Sequence, residues 1–128
     1  MNEMTKYITI VLVLTITAYI FLKPIVTNEN EYKVVIVNIS DYDISKVEIT
    51  GPGDNAHEMG IIREGHIQDY IFIPEQDGAL EYLITQNNQS LRGVINSSLK
   101  KDDKGDIFVV VGERYTVKVY DEFELRHM

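Results

Sequence analysis

Residues 102–106 form one group of potential metal ligands. The run Asp102-Asp103-Lys104-Gly105-Asp106 places three carboxylates around a glycine. Calcium binds carboxylate and carbonyl oxygens, and a glycine supplies the sharp turn that a calcium loop needs. The spacing is not that of an EF-hand, because the loop lacks the closing glutamate, and the neighbouring lysines add positive charge. The segment is therefore predicted to be a solvated loop between two strands, with calcium binding as the alternative.

Two histidines, His57 and His66, flank a predicted turn and form a second candidate set. Glu58 or Glu64 would supply a third ligand, and zinc accepts such nitrogen and oxygen ligands. The chain has no cysteine, which excludes thiolate metal sites, disulfides and a thiol nucleophile. Isolated histidines in an acidic region are usually surface residues, so these are predicted to bind no metal.

The sequence contains no arrangement typical of nucleophilic or phosphate chemistry. Catalysis by serine needs an oriented base, and no G-x-S-x-G motif occurs. Gly51-Pro52-Gly53 follows a predicted strand but leads to no helix, unlike a phosphate-binding loop. Carboxylate pairs such as Asp41 with Asp43, or Glu122 with Glu124, lie in a turn and in the tail, where solvation is their ordinary role. The prediction is no catalytic residue, no metal site and no cofactor, with a small hydrolase or metal-dependent enzyme as the alternative.

Tyrosine is frequent beyond residue 30. Aromatic side chains anchor protein interfaces, and they also fill sandwich cores with the hydroxyl at the edge. Core positions are the expected role for most of them. An exposed cluster with acidic neighbours would instead indicate a binding face. The tyrosines concerned are Tyr32, Tyr42, Tyr70, Tyr82, Tyr115 and Tyr120.

The elements that must position these residues are short strands. β-Branched and aromatic runs alternate with turn residues at a spacing of about 8–12 residues, which is typical of a β-sandwich or small barrel. A hairpin is predicted at Gln76-Asp77-Gly78, because Asp-Gly supplies the positive φ of a type I′ turn, and another at Gly112-Glu113-Arg114. No helical period competes after residue 30. The predicted strands are 32–39, 44–50, 57–62, 67–73, 79–85, 90–96, 107–111 and 115–120.

The segment Tyr7–Leu22 is sixteen residues long, carries no charge and lies between Lys6 and Lys23. A membrane-spanning helix needs about 20 apolar residues, and lysine stems extend a slightly short run. A cleaved signal peptide is the alternative, but no small-residue cleavage site follows, and no cysteine is present to carry a lipid. An uncleaved anchor is therefore predicted. Its apolar residues are Tyr7, Ile8, Ile10, Val11, Leu12, Val13, Leu14, Ile16, Tyr19, Ile20, Phe21 and Leu22.

Charge limits the partners of the remaining chain. The net charge is −8, and residues 24–128 carry 19 acidic and 10 basic side chains. Such a surface disfavours nucleic acid, which requires clustered lysine and arginine, and gives little grip on anionic lipid. The expected partners are the bilayer, through the helix, and another protein. The short amino-terminal tail before the apolar run favours a single-pass protein with its carboxy-terminal domain periplasmic or extracellular.

The length leaves room for one domain after the anchor. The predicted segments are an amino-terminal tail 1–6, a transmembrane signal-anchor helix 7–23, a linker 24–31, a β-sandwich domain 32–122 and a carboxy-terminal tail 123–128.

Turn and core positions of residues 32–120 resemble a group of small, largely uncharacterised bacterial proteins that carry an amino-terminal anchor and an immunoglobulin-like sandwich. The resemblance implies an all-β fold, an immunoglobulin-like antiparallel β-sandwich of about seven to eight strands after one transmembrane helix. It brings no catalytic residues. Its motifs are Val37-Asn38-x-Ser40, Ile44-x-x-Val47-x-Ile49-x-Gly51-Pro52-Gly53, Gly60-x-Ile62-x-x-Gly65, Phe72-x-Pro74 and Asp77-Gly78-x-Leu80.

An anchor joined to a β domain that is poor in reactive residues favours a non-enzymatic interaction or structural module of the cell envelope. The alternative is a membrane-tethered immunity protein that neutralises a secreted toxin. An acidic domain would suit capture of a basic enzyme, because opposite charge steers association.

Overall fold

The computed structural model of the protein describes residues 31–54 and 56–121. These residues form eight strands and two short 3₁₀ turns, and none of the helices among them is long and apolar enough to span a membrane. The predicted anchor at residues 7–23 lies outside the described residues. The strands are β1 (Tyr32–Asn38), β2 (Ile44–Thr50), β3 (Ala56–Met59), β4 (Ile67–Phe72), β5 (Gly78–Gln86), β6 (Gln89–Leu99), β7 (Gly105–Val111) and β8 (Val117–Asp121).

The strands form two four-stranded sheets. The first has the order β4-β1-β7-β8 and the second β3-β2-β5-β6. The prediction of an all-β sandwich with about eight strands is confirmed. Among the described strands, neighbours run antiparallel except β1 and β7, which are parallel from Tyr32 opposite Gly105 to Asn38 opposite Val111. The prediction of a wholly antiparallel sandwich is therefore wrong at this pair. No turn joins β1 to β7, so the local sequence does not constrain their relative direction.

The turns show which local signals determine pairing. Asn87 (φ 48°) and Asn88 (φ 62°) connect β5 to β6 with the positive φ values of a type I′ turn, and β7 pairs with β8 across the predicted turn at residues 112–114. The predicted hairpin at residues 76–78 is wrong, because β4 and β5 belong to different sheets. Where the chain passes from β4 to β5, a Cβ atom added to Gly78 would lie 2.9 Å from Pro52 Cβ. The glycine therefore permits loops 51–54 and 73–77 to approach each other closely.

The main core lies between the sheets. Strands of the second sheet alternate, so that Val47, Ile49 and Ile84 are buried while their neighbours are more exposed. This is the period expected when one face of a sheet contacts the core. The buried members of this cluster are Tyr32, Val34, Ile36, Ile44, Val47, Ile49, Met59, Ile62, Leu80, Ile84, Ile95, Leu99, Val109 and Val111.

A second apolar cluster lies on the opposite face of the first sheet. Val35 and Val37 of β1 lie beside Phe108 and Val110 of β7, and all four side chains are buried. Their neighbours β4 and β8 add Ile67 and Tyr120, and Ile39 follows β1. Apart from Lys33, which is also buried on this face, the central strands of this sheet are thus mainly apolar on both faces, which explains why β1 and β7 have nearly unbroken runs of valine and isoleucine.

The strand directions divide the loops between two ends of the sandwich. Asp121 pairs with Ile107 near the start of β7, and Tyr32 pairs with Gly105. The described chain therefore enters and leaves at one end, the entry end, which also carries loops 51–54, 73–77 and 100–104. Loops 39–43, 60–66, 87–88 and 112–116 lie at the other end, called the tip. Seven residues of β1 at about 3.3 Å each separate the two ends by roughly 20 Å.

Candidate functional site

Carboxylates in and beside the loop at residues 100–104 organise its backbone. Asp103 accepts hydrogen bonds from the Lys100 amide at 3.2 Å and the Lys104 amide at 3.0 Å. Asp77 likewise accepts from the Lys101 amide at 2.7 Å. Among residues 31–54 and 56–121, no group of three or more histidine and acidic side chains could hold a metal ion.

The two histidines lie in different parts of the fold. The His57 ring, on β3, stacks on Tyr70 of β4 with centroids 3.8 Å apart. His66 lies at the tip, where its carbonyl accepts the Asn38 amide at 3.0 Å. The structure therefore does not bring together the two histidines of the zinc hypothesis.

Four of the six tyrosines contact apolar clusters. Tyr32 is buried in the main core, Tyr70 and Tyr82 pack against it, and Tyr120 packs against the second cluster. The prediction of a core role is confirmed for these four. Tyr42 and Tyr115 differ, because both lie in loops at the tip and Tyr42 is 50% exposed.

An aromatic row closes the side of the sandwich between β3 and β4. After the His57–Tyr70 pair, Tyr70 stacks on Phe72 at 5.1 Å, and Phe72 meets Tyr32 edge-on at 5.7 Å. A cleft of about 490 Å³ opens beside this row at the entry end. Tyr70 stacks on rings within the row, so its π-face contributes to packing more than to an open stacking platform. The cleft is lined by Ile49, Gly51, Pro52, Tyr70, Phe72, Ile73, Pro74, Glu75, Gln76 and Leu80.

Tyr32 makes the stability of the fold sensitive to alkali. Burial raises the pKa of its hydroxyl, the hydrogen bond donated by Asn96 lowers the pKa, and the charges of Asp103 and Asp121 raise it. The folded pKa lies above the unfolded value of 10.0, so the unfolded chain releases this proton first. This contribution to stability is complete below pH 10 and is lost as pH rises through the folded pKa.

We expect Tyr32→Phe to lose less unfolding free energy than wild type between pH 9 and pH 11, because it removes the ionisable group. Urea unfolding at a series of pH values measures the difference. Tyr42→Phe is the matched control, since it removes a hydroxyl from an exposed ring. Parallel alkaline losses in wild type and Tyr32→Phe would contradict the assignment.

A stacked tyrosine pair occupies the tip. The rings of Tyr42 and Tyr115 are 6.0 Å apart and inclined by 8°, although they come from loops 39–43 and 112–116. Asn87 Nδ2 donates to the Tyr115 hydroxyl at 2.8 Å, which ties the pair to a third loop. Three loops thus converge on one aromatic group.

A buried polar network holds Tyr42 in place. Its carbonyl accepts hydrogen bonds from Asn38 Nδ2 at 2.9 Å and from Gln86 Nε2 at 2.9 Å. The Ser40 hydroxyl lies 3.0 Å from the same carbonyl and accepts from Gln86 Nε2 at 2.6 Å. Asn38, Ser40 and Gln86 are all buried. Such networks define one geometry, because each broken bond leaves a buried polar group unpaired.

The orientation of the Asn38 amide follows from its partners. The backbone amide of Ser40 can only donate, and it lies 3.1 Å from Asn38 Oδ1, so that atom is the oxygen. The opposite Nδ2 atom donates to the carbonyls of Tyr42 and Ile62. The buried side chain of Asn38 therefore connects loops 39–43 and 60–66. Among the described residues, Gln86 Oε1 is buried without a hydrogen-bond partner.

The backbone under Tyr115 is strained. Arg114 and Tyr115 have φ values of 58° and 57°, in the left-handed region that ordinary side chains rarely adopt, at a cost of about 1 kcal/mol or more each. Two bonds at this turn oppose the strain: Thr116 Oγ1 donates to the Glu113 carbonyl at 2.7 Å, and the Gly112 amide donates to the Thr116 carbonyl at 2.8 Å.

A shallow depression of about 530 Å³ lies beside Tyr42. The Glu64 amide donates to Asp43 Oδ1 at 3.0 Å, and this hydrogen bond connects the two loops that line the depression. Three carboxylates and one arginine line it, so its charge is mainly negative. The lining residues are Asp41, Tyr42, Asp43, Arg63, Glu64 and His66.

Sequence reasoning placed Tyr42 and Tyr115 among the tyrosines of interest but did not pair them. They are distant in the chain, and their pairing depends on how the loop that joins the two sheets meets the end of the β7–β8 hairpin. A local signal exists for Tyr42: Ser40-Asp41-Tyr42-Asp43 is a turn of residues that bond their own backbone, and Asn38 precedes it. No comparable signal identifies the carbonyl of Tyr42 as the centre of a buried network.

No protein-family model matches the chain, and no curated protein matches it. The fold is similar to a solved structure, the NMR structure of a protein from Eubacterium rectale, with a TM-score of 0.52 and 10% sequence identity. The similarity covers 77% of this chain and 95% of that one. At this identity the likeness concerns the fold alone.

Proposed function

We propose that the protein is a non-enzymatic, single-pass membrane protein whose immunoglobulin-like β-sandwich lies outside the cytoplasm and acts as an interaction or structural module of the cell envelope. One observation carries the proposal. The described chain enters and leaves the sandwich at the entry end, whereas the stacked pair of exposed Tyr42 and half-buried Tyr115 lies at the opposite end.

The distances suit a tethered domain. The proposed anchor ends at Lys23 and the sandwich begins at Tyr32, so residues 24–31 form the connection. Eight residues span at most about 28 Å, which holds the entry end near the bilayer. The tip then lies farthest from the membrane, where a partner meets no steric barrier from lipid.

The geometry of the tip supports binding rather than catalysis. Its tyrosines stack on each other, its polar network is buried beneath them, and its histidine lies among carboxylates in an open depression. Nucleophilic catalysis would need a base within hydrogen-bonding reach of a serine or threonine and an oriented third group. An exposed tyrosine held by stacking on a second ring is instead typical of protein interfaces.

The anchor is tested by extraction of membranes with alkaline carbonate. We expect the full-length protein to stay in the membrane pellet, because a spanning helix is not released by charge or pH. A variant with Leu12 and Leu14 both replaced by lysine is expected to appear in the soluble fraction, since charge at the centre of a span costs about 3 kcal/mol or more per residue.

The control is a double variant at exposed apolar positions outside the segment, Ile61→Lys with Val94→Lys, which should not alter membrane retention. Release of full-length wild type by carbonate would overturn the anchor. Protection of the domain from protease added to intact spheroplasts would overturn its extracytoplasmic position.

A membrane-tethered immunity protein that neutralises a secreted toxin is the second candidate. The carboxylates around Tyr42 favour it, because a basic toxin would meet them first. Competition between a deletion strain and its parent tests this function. Equal survival beside the parent would count against it.

A further inference from the structure

We propose that the tip is a docking surface for a protein segment that presents lysine or arginine, with one cationic group against the Tyr42 ring and between the neighbouring carboxylates. The inference deepens the proposed function and rests on it for the location of the partner. The site itself depends only on the geometry of the tip.

The first argument is the accessibility and rigidity of Tyr42. One face of its ring stacks on Tyr115, and half of the residue remains exposed to solvent. Its carbonyl is held by two amide donors from buried side chains. A ring that is fixed before binding loses little conformational entropy on binding, so its contact area contributes more to affinity.

The second argument is charge. Asp41 and Asp43 flank Tyr42 in the loop, and Glu64 lies across the depression, against a single arginine, Arg63. A cation near a tyrosine face is attracted by the ring quadrupole, and it would also meet carboxylates at this position. An acidic partner would meet the same carboxylates and be repelled. The aromatic ring and the carboxylates thus both favour a cationic ligand.

The entry end gives an internal comparison. Its loop 100–104 carries three lysines and two aspartates, and loops 51–54 and 73–77 add Asp54, Glu75 and Asp77, so the loops of the entry end, like those of the tip, carry more acidic than basic side chains. The aromatic rings nearest that end stack within the row rather than on an exposed loop. Charge alone therefore does not distinguish the two ends, and a cationic peptide is expected to prefer the tip because the carboxylates there lie beside the exposed ring of Tyr42.

The test is titration of full-length ¹⁵N-labelled protein, in a non-ionic detergent, with a peptide of alternating arginine and glycine and with its glutamate counterpart. We expect saturable binding of the arginine peptide, with amide shifts confined to the four tip loops, and weaker binding as salt increases. Tyr42→Ala should weaken binding about tenfold, whereas Tyr42→Phe, which keeps the ring, should stay within about twofold of wild type.

Two charge variants complete the design. The double variant with Asp41→Asn and Glu64→Gln should weaken binding several-fold, while Asp102→Asn at the entry end should leave it unchanged. Unaltered amide spectra away from the substituted loop show that each variant is folded. Failure of the arginine peptide to bind, equal binding of the glutamate peptide, or equal affinity of Tyr42→Ala would overturn the docking surface. Release of the protein by carbonate would overturn the tethered function and leave this result standing.

Discussion

Replacing Asn38 with alanine is expected to lower the free energy of unfolding by about 3 kcal/mol. Asn38 is fully buried, and its amide bonds the carbonyls of Tyr42 and Ile62 and the amide of Ser40. Alanine would leave these buried groups without partners, and each unpaired group costs about 1–3 kcal/mol. Urea unfolding of the full-length protein in detergent measures the change.

Asn96→Ala is the matched control. Asn96 is half-buried, and its side chain bonds the Tyr32 hydroxyl and the Ser98 amide, groups that water can reach more readily. We expect a loss of about 1 kcal/mol or less. If Asn38→Ala costs no more than this control, the buried network does not stabilise the fold. Because the network holds the Tyr42 carbonyl, Asn38→Ala should also shift the amide resonances of loop 39–43.

Replacing Val37 with aspartate is expected to cost about 4 kcal/mol or more, which would leave a domain of ordinary stability close to unfolding. Val37 is 1% exposed and lies between Ile67 and Val110 in the second apolar cluster. Burial of a carboxylate among these side chains has no compensating partner. Circular dichroism and urea unfolding measure the loss.

The control, Val94→Asp, makes the same chemical change on β6 of the other sheet. Val94 is 50% exposed, so its aspartate stays hydrated, and we expect a change of about 0.5–1 kcal/mol. The comparison tests whether the first sheet is mainly apolar on both faces. Equal and small losses in the two variants would show that the face carrying Val37 is open to water.

Local chemistry was sufficient to predict the strands. Runs of valine and isoleucine between turn residues mark β1 and β7, and alternation marks β2, because a side chain on a strand points to one face at every second residue. Asn87-Asn88 predicts its own turn, since asparagine tolerates positive φ. These signals act within a few residues, so they can be deduced without knowing the neighbours.

The pairing of strands that are distant in the chain could not be deduced from local sequence signals. Asp77-Gly78 has the composition of a hairpin turn, yet it carries the chain from one sheet to the other, because β5 pairs with β2 and β6 instead of β4. The parallel pair of β1 and β7 is a further case. Each strand has two hydrogen-bonding edges, and which partner occupies an edge depends on packing of the whole domain.

The tip shows the same limit for a candidate site. Composition identified six tyrosines and predicted core positions for most of them, but not which ones. The sheet register decided it, by placing Tyr32, Tyr70, Tyr82 and Tyr120 against apolar clusters and leaving Tyr42 and Tyr115 on loops. A ring can stack on another only where two loops end side by side, and that position is a property of both sheets.

By itself, the sequence determined that residues 32–121 are mostly strand, that no thiol chemistry is available and that the surface is acidic, because these follow from composition and local periodicity. Only the tertiary structure decided that one sheet is mainly apolar on both faces and that His57 and His66 lie apart. It also decided that Tyr42 rests on a buried amide network. Each of these depends on contacts between residues far apart in the chain, which form only when the two sheets pack.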